Sequence, residues 1–229
     1  MPDISSPMRL RLLLAYDGSR YCGWQIQDIP TPPPTVQAAV EAAVGRIAGR
    51  PVRVFGSGRT DAGVHAHGQV AHCDVPRRPG LDWRHALNAL LPADVRVLHW
   101  QEAAPGFHAR ISALRKTYVY DFWQEKGFVP PRLAPFVWRS GPLDAGAMRA
   151  ALPFLLGRHD FASLQNAGTE MESTVRELTR HPNHGTMNID IVSFARLAYR
   201  IFEELAVEQL SVLDDMGKSM VLRKVAAAQ

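Results

Sequence analysis

Phe55-Gly56-Ser57-Gly58-Arg59-Thr60-Asp61-Ala62-Gly63-Val64-His65-Ala66-His67-Gly68-Gln69-Val70 is the stretch around which the rest of the chain is organised. It sets four glycines, one arginine and a single carboxylate between two β-rich runs, Val52 to Phe55 and Gln69 to Val75. Glycine permits backbone angles and close approaches that a side chain forbids, so the cluster marks a shaped loop. Such loops on a rigid scaffold carry function. Asp61 is the only acidic residue of the stretch, and Arg59 lies two positions before it. The spacing predicts an arginine close enough to keep the carboxylate ionised. An ionised, positioned Asp is a nucleophile or a base.

Two other chemistries compete for these residues. Gly56-Ser57-Gly58 opens like a dinucleotide fingerprint, but the third glycine of that pattern falls at Asp61, and no lysine followed by Ser or Thr completes a phosphate-binding loop. His65, His67, His72 and Cys73 have the chemistry of metal ligands. On an extended segment His65 and His67 share one face and His72 takes the other, so three convergent ligands need a bend near Gly68. Partly exposed strand histidines are the plainer reading, and no metal is expected.

Outward from the loop, the pattern is strand, helix, strand, strand, helix, strand. Arg9 to Tyr16 alternates, with Leu10, Leu12, Leu14 and Tyr16 on one face and a later half apolar on both. Tyr21 and Trp24 follow in a loop and read as core plugs in preference to base-stacking groups. After the stiff connector Pro30 to Pro34, Thr35 caps a helix whose apolar stripe is Val36, Val40, Ala43, Val44 and Ile47. A strand from Pro51 to Phe55 enters the loop and one from Gln69 to Val75 leaves it. Asp82 caps a helix from Trp83 to Leu91, and Asp94 to Trp100 is the next strand. This is a split β-α-β unit.

A similar order begins after Pro105-Gly106. Leu114 to Trp123 reads as a strand, Asp144 caps a helix stopped by Gly157, Arg158 to Leu164 is a connecting loop, and strands fit Thr174 to Arg180 and Met187 to Val192. From Ser193 the sequence is helical, and Met220 to Val225 is a short final strand. The division expected is an N-terminal tail at residues 1–8, an N-terminal half at 9–105 carrying the loop, and a C-terminal half at 106–229 with an atypical helical tail. The fold class expected is α+β with mixed α/β character: two split β-α-β halves merge into one mixed, largely antiparallel sheet flanked by helices, and the loop sits in the groove where they meet.

A chain of 229 residues suffices for one large or two small domains with real cores. With 46% apolar and 21% charged residues it reads as a soluble globular protein. The net charge of +4 rests on arginine, since only Lys116, Lys126, Lys218 and Lys224 are lysines. Arginine suits phosphate and base-edge recognition, although GC-rich coding gives the same enrichment. Cys22 and Cys73 lack disulfide or zinc-ribbon spacing, so reduced thiols in a cytoplasmic setting are expected. The first residues have no basic start or apolar core, so no signal peptide is expected, and no run approaches the roughly 20 apolar residues of a membrane span.

Gly58-Arg59-Thr60-Asp61-Ala62-Gly63-Val64-His65-Ala66 also resembles the catalytic signature of the tRNA pseudouridine synthase A family. Tyr16-Asp17-Gly18-Ser19-Arg20-Tyr21-Cys22-Gly23-Trp24-Gln25 is similar to that family's first-strand motif and Thr35-Val36-Gln37 to its first helix. Phe107-His108-Ala109-Arg110 resembles the start of its second half, and Lys116-Thr117-Tyr118-Val119-Tyr120 its tyrosine strand. The matches are ordered over residues 9 to about 192. They imply the pseudouridine synthase fold and isomerisation of uridine to pseudouridine in the anticodon stem-loop of tRNA, at positions 38 to 40, with tRNA as partner, a homodimer and no cofactor.

The resemblance makes Asp61 the nucleophile, at either the ribose carbon or the uracil ring. It gives Arg59 the space vacated by the flipped nucleotide, or its phosphates, and Tyr118 the stacking face. The RNA-binding candidates are Arg20, Arg110, Arg115 and Arg158. Beyond Val192 the chain departs from the family. Phe194 and Arg200 keep the family's separation of a Phe and an Arg that approaches the catalytic carboxylate, but residues before them are missing and their flanks differ. Asp61 without that arginine loses orientation and charge stabilisation, which opens a second expectation: a catalytically impaired RNA-binding protein of the same fold.

Overall fold

The computed structural model describes residues 7–114, 116–160, 175–178 and 220–223. In chain order the elements are β1 (Pro7–Tyr16), α1 (Val36–Ala48), β2 (Phe55–Gly56), β3 (His65–Pro76), α2 (Trp83–Leu90), β4 (Val95–Ala103) and β5 (Thr117–Tyr120). They continue with β6 (Phe122–Trp123), β7 (Trp138–Arg139), α3 (Ala145–Leu155), β8 (Gly157–Asp160), β9 (Val175–Leu178) and β10 (Met220–Arg223).

The alternation of β1 is carried into burial: Leu10, Leu12, Leu14 and Tyr16 face the core and the residues between them are half-buried. Two-sided burial of the later half is not found, since Leu13 and Ala15 stay only half-covered. Against the inner face pack Val36, Val40 and Val44 of α1, Trp83 and Leu87 of α2, and Trp24 from the loop after β1. Each fully buried large apolar side chain contributes about 1.5–3 kcal/mol, so this face anchors the molecule. Tyr21 and Trp24 are the core plugs expected of them.

The helices start where the caps predict. Thr35 Oγ1 accepts from the Ala38 amide, Asp82 from the Arg84 and His85 amides, and Asp144 from the Gly146 and Ala147 amides. Each cap satisfies amides that the first helical turn leaves without partners. α1 ends at Gly49, whose φ of 73° is the left-handed conformation of a helix C-terminus.

The main sheet runs β4-β1-β3-β10-β5, with β2 also on β3. β1 is antiparallel to both β3 and β4, β10 is parallel to β3, and β5 is antiparallel to β10. The two halves therefore merge through β10 into one mixed sheet, flanked by helices and largely antiparallel.

The strand expected from Gln69 to Val75 already begins at His65 as β3, and three other expected elements differ. The strand from Pro51 to Phe55 shrinks to β2, because α1 side chains take the backbone partners a strand would need: Glu41 Oε1 accepts from the Val54 amide (2.9 Å) and Gln37 Nε2 donates to the Val54 carbonyl (2.9 Å). The strand from Leu114 to Trp123 breaks at Asp121, whose carbonyl accepts from the Trp138 amide (2.7 Å), and its last residues pair with β7 instead. Arg158 to Asp160 is strand, not loop, since β8 pairs with β9. The strand from Met187 to Val192 and the helix from Ser193 lie outside the described residues.

Candidate active site

The loop from Ser57 to Val64 is held by backbone and buried polar contacts on both sides. Gln69, fully buried on β3, accepts from Ser57 Oγ (2.5 Å) and donates to the Gly58 carbonyl (2.6 Å). Tyr16, at the end of β1, pairs its hydroxyl with Thr60 Oγ1 (2.9 Å), and burial raises its phenol pKa well above the usual tyrosine range. From the loop after β1, the Trp24 amide donates to the Thr60 carbonyl (2.9 Å), and the Gly63 amide donates to the Tyr21 carbonyl (3.1 Å). Asp61 thus sits between two residues whose backbone is pinned to Tyr21 and Trp24.

Two glycines make this approach possible. A Cβ on Gly18 would lie 2.0 Å from the Val64 carbonyl oxygen. Gly23, with φ of 88°, would put one 2.4 Å from the Thr60 carbonyl oxygen. The motif around Tyr16-Asp17-Gly18 and the loop motif are therefore one packed unit.

Asp61 stays open to solvent as a residue, yet the protein crowded around its carboxyl raises its pKa, with burial as the cause. The expected pairing with Arg59 is not found: Arg59 is exposed, and no ion pair joins the two among the described residues. Thr60 between them is tied inward by its hydroxyl to Tyr16 and by its carbonyl to the Trp24 amide, so a separation of two residues does not bring the side chains together.

β5 contributes an aromatic face. Tyr118 is half-buried and packs against the core. Tyr120, on the same side of the strand two residues on, has its phenol pKa raised by burial first and then by the charges of Tyr118 and Asp61, which places it within electrostatic reach of the loop. Lys116 shares that side: a Cβ on Gly58 would lie 3.4 Å from its Cε and Nζ. Sequence reasoning singled out Tyr118 and passed over Lys116 and Tyr120; the period-two spacing of Lys116, Tyr118 and Tyr120 was the signal.

The remaining candidates are spread out. Arg20 is exposed in the turn after β1, 3.5 Å from Asp94. Arg110 is exposed in the segment before β5, its amide donating to His108 Nδ1 (3.2 Å). Arg158 is exposed on β8. None of the three is ion-paired with Asp61 among the described residues, and Arg115 and Arg200 lie outside them.

The histidines serve separate contacts. His65 lies against Asp17, Gly18 and Pro135. His72 accepts the Ala109 amide at Nδ1 (3.1 Å) and meets the rings of His108, Phe55 and Phe107. Burial, with His108 and Arg9 nearby, lowers the His72 pKa to about 4. Among the described residues no group of three His, Cys, Asp or Glu gathers to hold a metal ion, and no helix is long and apolar enough to cross a membrane.

Residues 13–110 match the family model described as tRNA pseudouridine synthase. Residues 169–229 match a second model, ADDB, N-terminal, so Arg200 falls in a segment that resembles a different family. The tRNA pseudouridine synthase A of Oleidesulfovibrio alaskensis is 53% identical over 184 residues, covering 76% of this chain and 66% of that protein. That of Lawsonia intracellularis is 50% identical over 174 residues, covering 75% of this chain and 68% of the relative. That of Neisseria gonorrhoeae is 42% identical over 179 residues, with 78% and 67% covered. The chain spans 58–68% of the length of eight curated relatives it matches, less than two thirds for most of them. With the motif loop, the tyrosine strand and the merged sheet in place, the chain belongs to the tRNA pseudouridine synthase A family.

Proposed function

We propose that this chain isomerises uridine to pseudouridine in tRNA, in the anticodon stem-loop at positions 38 to 40, with Asp61 as the nucleophile. The observation that carries the reading is the Asp61 loop: a lone carboxylate on a backbone pinned to Tyr21, Trp24 and Gln69, beside the Tyr118 strand, in a chain of this family. The reaction breaks a C–N glycosidic bond and forms a C–C bond to the same ribose, with the uracil detached and turned in between. It has no redox or phosphoryl step, so it calls for no cofactor.

A stacked uridine cannot present its ribose carbon or its ring edge, so the nucleotide leaves the helix at a cost of a few kcal/mol. Tyr118 stacks on the extruded base and offers its hydroxyl for proton transfer. Arg59, exposed and outside any ion pair with Asp61, fills the vacated space or holds the flanking phosphates. A carboxylate whose pKa is raised by burial has lost hydration that would otherwise blunt it as a nucleophile. Arg20, Arg110, Arg115 and Arg158 contribute contacts to phosphate and groove shape. A homodimer in the cytoplasm completes this reading.

A second reading has its own support. The match of residues 169–229 to another family places Arg200 in sequence of a different kind, which favours a catalytically impaired RNA-binding protein of the same fold. Carbodiimide mapping of pseudouridine in a tRNA transcript decides between the two. Modification at positions 38 to 40 by wild type and none by Asp61→Ala, with both binding tRNA equally, supports the enzyme. Binding with no modification by either supports the impaired protein.

A further inference from the structure

His65 is buried at the start of β3, four residues after Asp61, and its ring makes contacts on every side. Nε2 lies 2.8 Å from the Pro135 carbonyl oxygen. That oxygen only accepts, so Nε2 carries a proton and donates it. Nδ1 lies 3.0 Å from Asp17 Oδ1 and accepts from the Gly18 amide (3.2 Å). The ring face meets Phe136, with centroids 4.7 Å apart. One side chain therefore ties three separate parts of the sequence: the turn after β1, the start of β3, and the Pro135–Phe136 segment of the second half.

The turn it holds is the one that abuts the loop. Gly18 packs directly on the Val64 carbonyl, and the Val64 amide in turn closes on the Asp61 carbonyl (3.2 Å). Asp17 is fixed from its other side, its Oδ1 accepting from the Ser19 amide (2.9 Å) and hydroxyl (2.6 Å). A displacement of the His65 ring passes to Gly18, Val64 and then Asp61 through backbone contacts with no slack.

We propose that His65 is a positioning residue for the reaction: it docks the Pro135–Phe136 segment onto the Asp17–Gly18 turn, and the orientation of the Asp61 carboxylate depends on that docking. The proposal rests on the pseudouridine synthase reading given above. His65 touches neither uridine nor the bonds that change; it acts through Asp61. Misplacement of a reacting group by about 1 Å costs on the order of a hundredfold in rate without a matching loss of binding.

The test compares wild type, His65→Ala and His65→Gln, the last retaining a donor at the position of Nε2. With full-length tRNA the expected result is a kcat lowered about tenfold to a hundredfold in His65→Ala, a tRNA Kd within twofold, and recovery of at least tenfold of the lost rate in His65→Gln. Amide hydrogen exchange at Gly63 and Val64, followed in the same three proteins, reads the loop without turnover; faster exchange in His65→Ala, reversed in His65→Gln, is expected. A kcat within twofold of wild type in His65→Ala overturns the proposal, as does a loss confined to Kd or a His65→Gln no better than His65→Ala. Should wild type show no turnover, the functional reading fails, and the exchange data decide the His65 proposal alone: unchanged exchange at Gly63 and Val64 overturns it.

Discussion

Replacing Gly18 with alanine is the sharpest structural perturbation of the loop that leaves every side chain in it intact. The added Cβ would stand 2.0 Å from the Val64 carbonyl oxygen, 2.5 Å from its carbonyl carbon and 2.9 Å from its nitrogen, all backbone atoms. Ordinary contact starts near 3.4 Å, so the two segments must part by about 1.4 Å. No rotamer relieves this, because neither party is a side chain. Val64 is joined to Asp61 by a tight turn, and the Gly18 amide is the partner of His65, so the shift reaches the carboxylate from two directions. Overpacking of this size costs about 1–3 kcal/mol of stability. Displacement of Asp61, the proposed nucleophile, costs about a hundredfold in kcat, or about 2.7 kcal/mol of barrier at 1.36 kcal/mol per tenfold. The assay is steady-state pseudouridine formation at a temperature well below the melting point, with Gly106→Ala as control, since a Cβ there meets nothing within 4 Å. Gly106→Ala is expected to match wild type. A Gly18→Ala protein that keeps wild-type kcat and melting temperature would refute the claim that these two motifs form one unit.

Three further outcomes follow from the site's electrostatics and packing. Asp61 has a raised folded pKa, so its ionised form weighs against folding at neutral pH; Asp61→Asn is expected to raise the melting temperature at pH 7 while abolishing turnover, with the gain shrinking as pH falls through the raised pKa toward the usual 3.8 and vanishing below it. Thermal melts at pH 7 and pH 3.5 check this. His72, with a folded pKa of about 4 against the usual 6.5, takes its proton first in the unfolded chain, so its contribution is complete above pH 6.5 and is lost as pH falls toward 4. Between pH 7 and 4.5 wild type is expected to lose about 2.5 kcal/mol more in urea unfolding than His72→Asn, which still accepts the Ala109 amide; the loss is 1.36 kcal/mol per pH unit over the two units from 6.5 to 4.5. Tyr118→Phe keeps the stacking ring and is expected to bind tRNA normally with reduced kcat. Tyr118→Ala is expected in addition to lose about 1–3 kcal/mol of stability with the ring's core contacts, read by the same unfolding curves.

What the sequence displays of this fold is its local chemistry. The period-two run of Leu10, Leu12, Leu14 and Tyr16 marks β1, and Thr35, Asp82 and Asp144 mark three helix starts, because each signal acts within a few residues. Partnerships over long range leave no such mark. Val52 and Val54 have β-favouring side chains, yet Gln37 and Glu41 of α1 satisfy the Val54 backbone and end the strand. Met220–Arg223 reads as a short apolar run, and nothing in it tells that it pairs with both β3 and β5. In the site, Asp61 stands out as the loop's lone carboxylate and Tyr118 only through its resemblance to the family's tyrosine strand, whereas the Arg59–Asp61 pairing inferred from their spacing fails because Thr60 is anchored to Tyr16 and Trp24 and fixes the loop between them. Tyr16, Gln69 and His65 support the loop through contacts of 11 to 70 positions in sequence, which only the folded chain reveals.

The central claim, that Asp61 drives uridine isomerisation, meets its most direct test in tritium release from tRNA labelled at uracil C5, since C–C bond formation at that carbon expels its hydrogen. Wild type is expected to release tritium to the extent of the modifiable uridines while Asp61→Ala, folded and binding tRNA with the same affinity, releases none. Release by both proteins at equal rates, or by neither while both remain folded and bound to tRNA, would contradict it.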